Sequence, residues 1–257
     1  MHTYYGTEDV ALLLGVSPSI MLRLIRSVGA YIVMASFDIN SLLAHIDELH
    51  VFRSNSKIDL LSINETKLDL TIDDAELYLP GYELIRKDRD RNGRNGCGVC
   101  FYVRCNLNYK IRDDLSSENL ELLVLEITRL RSKPFLVSTW YRPSGSPVSV
   151  FNDFEGVVMK IDAENWEFFL LGDLNVDLTP GITSANAIKL QHILDIYGLD
   201  QLITEPTRVT MNSHTLIDHC ITNSHNKIAK SGVVHLAISD HALICMTHKG
   251  QVRAFRS

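Results

Sequence analysis

The sequence predicts an α/β (α+β) fold in which two packed, mixed but mostly antiparallel β-sheets are flanked by helices. Two observations carry the prediction. Short apolar segments of strand length predominate and often follow one another directly. Helical periodicity is confined to a few separate stretches, an order that disfavours a doubly wound parallel sheet. With 257 residues, 46% of them hydrophobic, the chain is long enough to bury a core of that size.

Residues 1–30 read as a separable extension. Thr7, Glu8 and Asp9 make a helix start, Gly15 a stop, and Ser17-Pro18 restarts a second short helix. The pair could form a helix-turn-helix, but it carries no basic recognition face, so an extension with helical tendency is the simpler reading. From Tyr31 the pattern changes. Tyr31 to Ala35 is an apolar, β-branched run and reads as a buried strand. Leu42, Leu43, Ile46, Leu49 and Phe52 recur at helical spacing. Ile58 to Ile63 is a strand, and Pro80-Gly81 marks a turn. Cys97 to Val103, Leu120 to Ile127 and Phe135 to Tyr141 are strands, and Val150 to Ile161 is a helix. Phe168 to Leu171 is a short strand ending at Gly172, and Ala187 to Tyr197 a helix stopped by Gly198. Leu216 to Thr222 and Ala242 to Thr247 close the domain. The total is about eight or nine strands and three or four helices.

Composition narrows the function classes. Five Cys, an odd number, give no disulfide framework and suggest a reducing compartment. No run of 18 uncharged apolar residues exists, and no basic cluster precedes an apolar run, so the expectation is an intracellular protein, neither secreted nor membrane-bound. The net charge of −6 argues against a surface coated in basic residues for nucleic acid.

The chemistry gathers where strands end, on rigid supports with a free rim. Asn40 follows the first strand, Glu65 the second, and Tyr141 closes the Phe135 strand. Asp173 and Asn175 follow Gly172, Asp218 lies in the Leu216 strand, and Asp240 and His241 precede the last strand. Any one of these alone reads as a solvated loop residue. Together they are hard oxygen ligands suited to Mg²⁺, with a histidine next to a carboxylate that can orient its ring for proton transfer.

Asp-Ile-Asn ending at Asn40, Ile-Asn-Glu-Thr-Lys around Glu65, Tyr-Arg-Pro at Tyr141, Gly-Asp-Leu-Asn from Gly172 to Asn175, Leu-Ile-Asp ending at Asp218 and Ser-Asp-His from Ser239 to His241 occur in one order. The series resembles the endonuclease/exonuclease/phosphatase superfamily over about residues 31 to 248. Ile-Asn-Glu-Thr-Lys-Leu, Trp-Tyr-Arg-Pro, Glu-Pro-Thr-Arg and Thr-Leu-Ile-Asp-His look most like the endonuclease domain of non-LTR retrotransposons. The resemblance implies a four-layered α/β sandwich over residues 31–250, with 251–257 as a tail, and Mg²⁺- or Mn²⁺-dependent phosphodiester hydrolysis. It makes Glu65 the principal metal ligand, assisted by Asn40. Asp173 would serve the leaving group or the metal, Asn175 would orient the phosphate, and Tyr141 would hydrogen-bond the phosphate or its partners. His241, held by Asp240, would be the base or transition-state stabiliser. Asp218 would be a supporting carboxylate and Thr207 a phosphate or structural contact. Asp38 stands where relatives often carry Asn, and is not taken as catalytic; Cys97 stands where Gly is expected.

The implied reaction is DNA nicking by a nuclear, monomeric enzyme whose parent element encodes a reverse transcriptase downstream. The alternatives are a phosphatase or exonuclease on the same scaffold, and a decayed, non-catalytic copy. Asp173-x-Asn175-x-Asp177 imitates a calcium loop but has Leu178 where that loop needs Gly and Ser184 where it needs Glu. Cys97 and Cys100 have knuckle spacing without a second pair, and His219 reads as a packed or surface neighbour of Asp218 rather than a zinc ligand. Arg86 to Arg94 holds five basic and two acidic residues, and Arg89, Arg91 and Arg94 are candidate DNA-phosphate contacts.

Overall fold

A computed structural model describes residues 31–88, 97–128 and 132–249. The expected helices of residues 1–30, the tail at 251–257 and the basic residues Arg89, Arg91 and Arg94 lie outside the described residues. Fourteen strands and three α-helices are described. The elements run β1 (Tyr31–Asp38), α1 (Ile46–Asn55), β2 (Leu60–Asn64), β3 (Tyr82–Lys87), β4 (Val99–Arg104), β5 (Asn108–Ile111), β6 (Glu121–Thr128) and β7 (Phe135–Tyr141). They continue with α2 (Val150–Glu164), β8 (Glu167–Asp173), α3 (Ala185–Ile196), β9 (Asp200–Gln201), β10 (Arg208–Val209), β11 (His214–Thr215), β12 (Asp218–Thr222), β13 (Ile228–Val234) and β14 (Leu243–Lys249).

Two six-stranded sheets form, in the orders β13-β14-β1-β2-β4-β3 and β5-β6-β7-β8-β12-β9. Among the described residues, parallel pairing occurs only between β1 and β2 and between β7 and β8, the strands that α1 and α2 connect. This follows from chain geometry, because a parallel pair needs a long crossover whereas antiparallel neighbours can be joined by short turns. The expected architecture is therefore the observed one.

Strand alternation builds the layers. On β1, Val33, Ala35 and Phe37 face a cluster that includes Leu49 and Phe52 of α1. Ile32 and Met34 face the space between the sheets, with Leu60, Phe135, Val137, Phe169, Leu171 and Ile244. Trp140, Leu136, Phe168 and Leu170 face α2 and α3, where Trp140 stacks on Phe154 at 4.2 Å. Helix, sheet, sheet and helices make four layers, each interface a period-2 stripe of buried side chains.

β3, β5, β9, β10, β11 and β13 have no counterpart among the sequence-predicted strands. β3, β5, β9 and β13 lie on the edges of the two large sheets, and the short β10 and β11 form a separate two-stranded sheet. Edge strands keep one flank in solvent and carry charged or small residues there, so Glu83, Lys110, Lys230 and Gly232 dilute the apolar pattern that reveals a central strand. None of the five cysteines forms a disulfide.

Candidate active site

Topology brings the strand ends together. β1, β2, β7 and β8 all end at one rim of the sandwich. β14 runs antiparallel to β1, and β12 antiparallel to β8 with Asp218 opposite Asp173. The starts of β12 and β14 therefore lie at that same rim. The side chains facing the inter-sheet space change from apolar to polar toward it: Ile32, Met34, Ser36, Asp38 on β1; Phe135, Val137, Thr139, Tyr141 on β7; Phe169, Leu171, Asp173 on β8.

At the centre, ligand atoms of Asp38, Asp173 and His241 all lie within 4.8 Å of one another. His241 Nδ1 pairs with Asp218 at 3.0 Å, which leaves its other ring nitrogen for the cluster. Asp173 accepts from the Asn175 backbone N–H at 2.8 Å and from the Asn175 side-chain amide at 2.9 Å. Tyr141 donates its hydroxyl to Glu65 at 2.5 Å. Glu65 and Asn175 both have left-handed backbones (φ 49° each), a conformation uncommon for such residues and frequent at functional sites. Gly172 is required by contact: a Cβ there would stand 2.1 Å from the Trp140 carbonyl oxygen.

Electrostatics follow from crowding acids in a dry place. Burial, reinforced by the charges of Glu65 and Asp218, raises the Asp38 carboxyl to about 7 even though His241 opposes the shift. Burial and the charges of Asp218 and Asp38 push Asp173 well above the usual carboxylate range. Burial works against the charged form of His241. The hydrogen bond and charge of Asp218, with Asp173 and Asp38 behind them, outweigh it and raise the imidazole to about 10.

Several expected roles change. Asp38, not taken as catalytic from the sequence, is buried at the heart of the cluster, and its Oδ2 has no hydrogen-bond partner among the described residues. Asn40 is exposed and accepts from Lys67 instead; its own backbone is left-handed (φ 55°), which turns the chain away from the strand direction there. Asp240 does not hold His241. It faces outward and pairs with Arg208 at 2.8 Å, while Asp218 takes the ring. Thr207 is fully buried, and its hydroxyl accepts the backbone N–H groups of Ile217 and Asp218 at 3.1 and 2.9 Å. It fixes Asp218 rather than offering a surface for phosphate. Both amide hydrogens of Asn175 are engaged, by Asp173 and by the Arg142 carbonyl at 3.0 Å, so its side chain holds the Asp173 carboxylate in place. Lys67, 3.8 Å from Glu65, and Arg208 are rim cations that the sequence reading missed. His219 is packed and buried, as expected.

The donors suit a small divalent cation. A buried carboxylate oxygen without a hydrogen-bond partner among the described residues, beside further carboxylates, matches the hard oxygen ligands such ions take.

The sequence profile of the Endonuclease/Exonuclease/phosphatase family matches residues 35–241, and the chain belongs to that family. No curated protein sequence matches it. Among solved structures it is similar to the endonuclease domain of TRAS1, a telomere-specific non-LTR retrotransposon, at 15% identity and TM-score 0.66, covering 86% of this chain and 100% of that one. It is similar to the AP endonuclease LMAP from Leishmania major at 14% identity and TM-score 0.71, covering 96% and 99%. It is also similar to the 3′ phosphatase NExo from Neisseria at 16% identity and TM-score 0.64, covering 84% and 99%. These similarities establish the fold, that of a phosphodiesterase family.

Proposed function

We propose that this protein is a Mg²⁺- or Mn²⁺-dependent endonuclease that nicks DNA, derived from a non-LTR retrotransposon. The observation that best supports hydrolysis is the convergence of Asp38, Asp173 and His241 at one rim, with Asp218 behind the histidine. Asp38 would hold the ion, with Glu65 and Asp173 beside it. When bound, the ion stabilises negative charge developing on the phosphoryl oxygens.

The chain's own groups supply the rest. Asp173, whose carboxyl has a raised proton affinity, takes the proton of the attacking water as the new P–O bond forms, and returns it to the oxygen that departs as the scissile P–O bond breaks. Charged His241, anchored by Asp218, faces the phosphate as a fixed cation. Tyr141 restrains Glu65, and Asn175 restrains Asp173. Lys67 and Arg208 meet the flanking phosphates, with Arg89, Arg91 and Arg94 along the approaching duplex.

DNA as substrate and the retrotransposon origin are supported by the ordered motifs and by the likeness to TRAS1. On this reading residues 31–250 are the catalytic domain, 1–30 an extension and 251–257 a tail. The protein acts as a monomer on nuclear DNA, beside a reverse transcriptase of its parent element. A 3′ phosphatase or exonuclease is the second reading, supported by the likeness to NExo.

The test is nicking of supercoiled plasmid with Mg²⁺ or EDTA, alongside Asp173→Ala and His241→Ala. Nicking that needs the metal and disappears in both variants supports the reading. Release of terminal phosphate from nicked DNA without new nicks would replace it with the second.

A further inference from the structure

The site is split between two sheets. Asp38 and Glu65 belong to one, and Asp173, Tyr141 and Asp218 to the other. Their separation is a tertiary quantity, and a misplacement of about 1 Å is enough to cost a phosphodiesterase on the order of a hundredfold in rate. Some element must fix it.

Asn64 is the last residue of β2 and directly precedes Glu65. It is fully buried and faces the second sheet. Its Oδ1 accepts the hydroxyl of Ser36 on β1 at 3.1 Å and the backbone N–H of Asp173 on β8 at 3.2 Å. Its amide nitrogen donates to the Thr139 hydroxyl on β7 at 3.3 Å. One side chain therefore ties both parallel strand pairs together at the rim. The Asp173 N–H is free to turn across the sandwich because Gly172 lies hard against the Trp140 backbone, where no side chain fits. In a buried, low-dielectric place such a network is rigid when complete and unstable when one partner is lost.

We infer that Asn64 is a positioning residue: its side-chain amide clamps the two sheets and sets where Asp173 stands relative to Glu65 and Asp38. Asn64 touches neither substrate nor the reacting atoms. It acts through the Asp173 backbone. The inference rests on the proposed hydrolysis for its kinetic consequence and on geometry alone for its structural one.

Two measurements test it separately. Asn64→Leu removes both ends of the amide at similar volume, and Thr139→Val removes one arm without touching Asp173. Ser138→Ala is the control, since that buried hydroxyl on the same strand has no hydrogen-bond partner among the described residues. By amide hydrogen exchange in EDTA, Asn64→Leu should speed exchange of the Asp173 amide by about tenfold or more and leave Leu170 unchanged. In plasmid nicking with Mg²⁺, kcat should fall by about ten- to a hundredfold with KM within about twofold. Thr139→Val should show a smaller loss of the same kind, and Ser138→Ala none. If Asn64→Leu does not fold, Thr139→Val and Ser36→Ala carry both measurements one arm at a time. An Asp173 amide that stays protected in folded Asn64→Leu overturns the clamp, as does an equal kcat loss in Ser138→Ala. A wild-type protein that never nicks sinks the proposed activity, while the exchange measurement still decides the clamp.

Discussion

Two buried histidines flank the same strand, β14, and each meets a carboxylate from the opposite sheet. His241, just before the strand, pairs with Asp218 at 3.0 Å. His248, near its end, pairs with Glu167 at 2.7 Å. The surroundings differ. His248 packs on the rings of Phe135 and Phe169 at 5.0 and 4.9 Å, in the apolar row of the inter-sheet core. His241 instead turns its second nitrogen toward two more carboxylates, Asp38 and Asp173. The same pair of residue types thus serves packing at one end of the sandwich and joins a cluster of carboxylates at the other. What separates them is which neighbours remain polar at that depth.

The largest effect should come from the polar end. His241→Ala and Asp173→Ala are each expected to lower nicking by about a thousandfold or more, because each removes a charge poised for the reaction. His248→Leu should leave kcat within about threefold. It should instead move the thermal midpoint, since it removes the hydrogen bond between the buried His248 ring and the half-buried Glu167, which keeps Lys227 as a partner, at about 1 kcal/mol. Plasmid nicking and thermal denaturation of the three variants check the contrast, and equal kinetic losses at both ends would break it.

Asp38→Asn sharpens the comparison next. In the metal-free protein the raised Asp38 carboxyl favours its protonated form, so stability is lost as pH rises from about 4 through about 7. Removing the charge should stabilise the protein in EDTA at neutral pH, by about 2 kcal/mol, while weakening Mn²⁺ binding measured by calorimetry. Wild-type Mn²⁺ affinity should climb as pH passes about 7, where the proton leaves, and the variant should lose that step.

A third histidine supplies the acid limb. His219, next to Asp218 in sequence, faces away from the site and meets Val176 O at 2.9 Å and Gln201 at 2.7 Å. Burial lowers its imidazole to about 4. Its contribution is complete above the unfolded value near 6.5 and is lost as pH falls from there through about 4, up to about 3 kcal/mol. His219→Gln should flatten denaturant stability across that window. Tyr141→Phe, which frees Glu65 from one hydrogen bond, should have the smallest effect, lowering kcat by about tenfold.

Much of the site was legible because strand ends can be read from a sequence. Glu65, Tyr141, Asp173 and His241 were expected at the termini of apolar runs and stand there, while Asp218, expected inside the Leu216 strand, is the first residue of β12. Asp38 was readable in hindsight: Ile32, Met34, Ser36 and Asp38 alternate on one face of β1, so Asp38, and not Asn40, shares the inward row. The partner of His241 was not readable. Asp240 is its neighbour in the chain, but Asp218 is its neighbour in space, delivered by the pairing of β12 with β8. The edge strands were missed because a strand with one flank in solvent loses the apolar signal.

By itself the sequence determined the alternation of apolar and polar positions, and with it the strands, the layers and the residues destined for one rim. That follows because side-chain direction along a strand has a fixed period of two. Only the tertiary structure decided which of those residues meet. The distances across the sandwich depend on register and on how two sheets pack, and no local pattern encodes either. Asn64, Thr207 and the Asp218–His241 pair exist as functional features only once both sheets are in place.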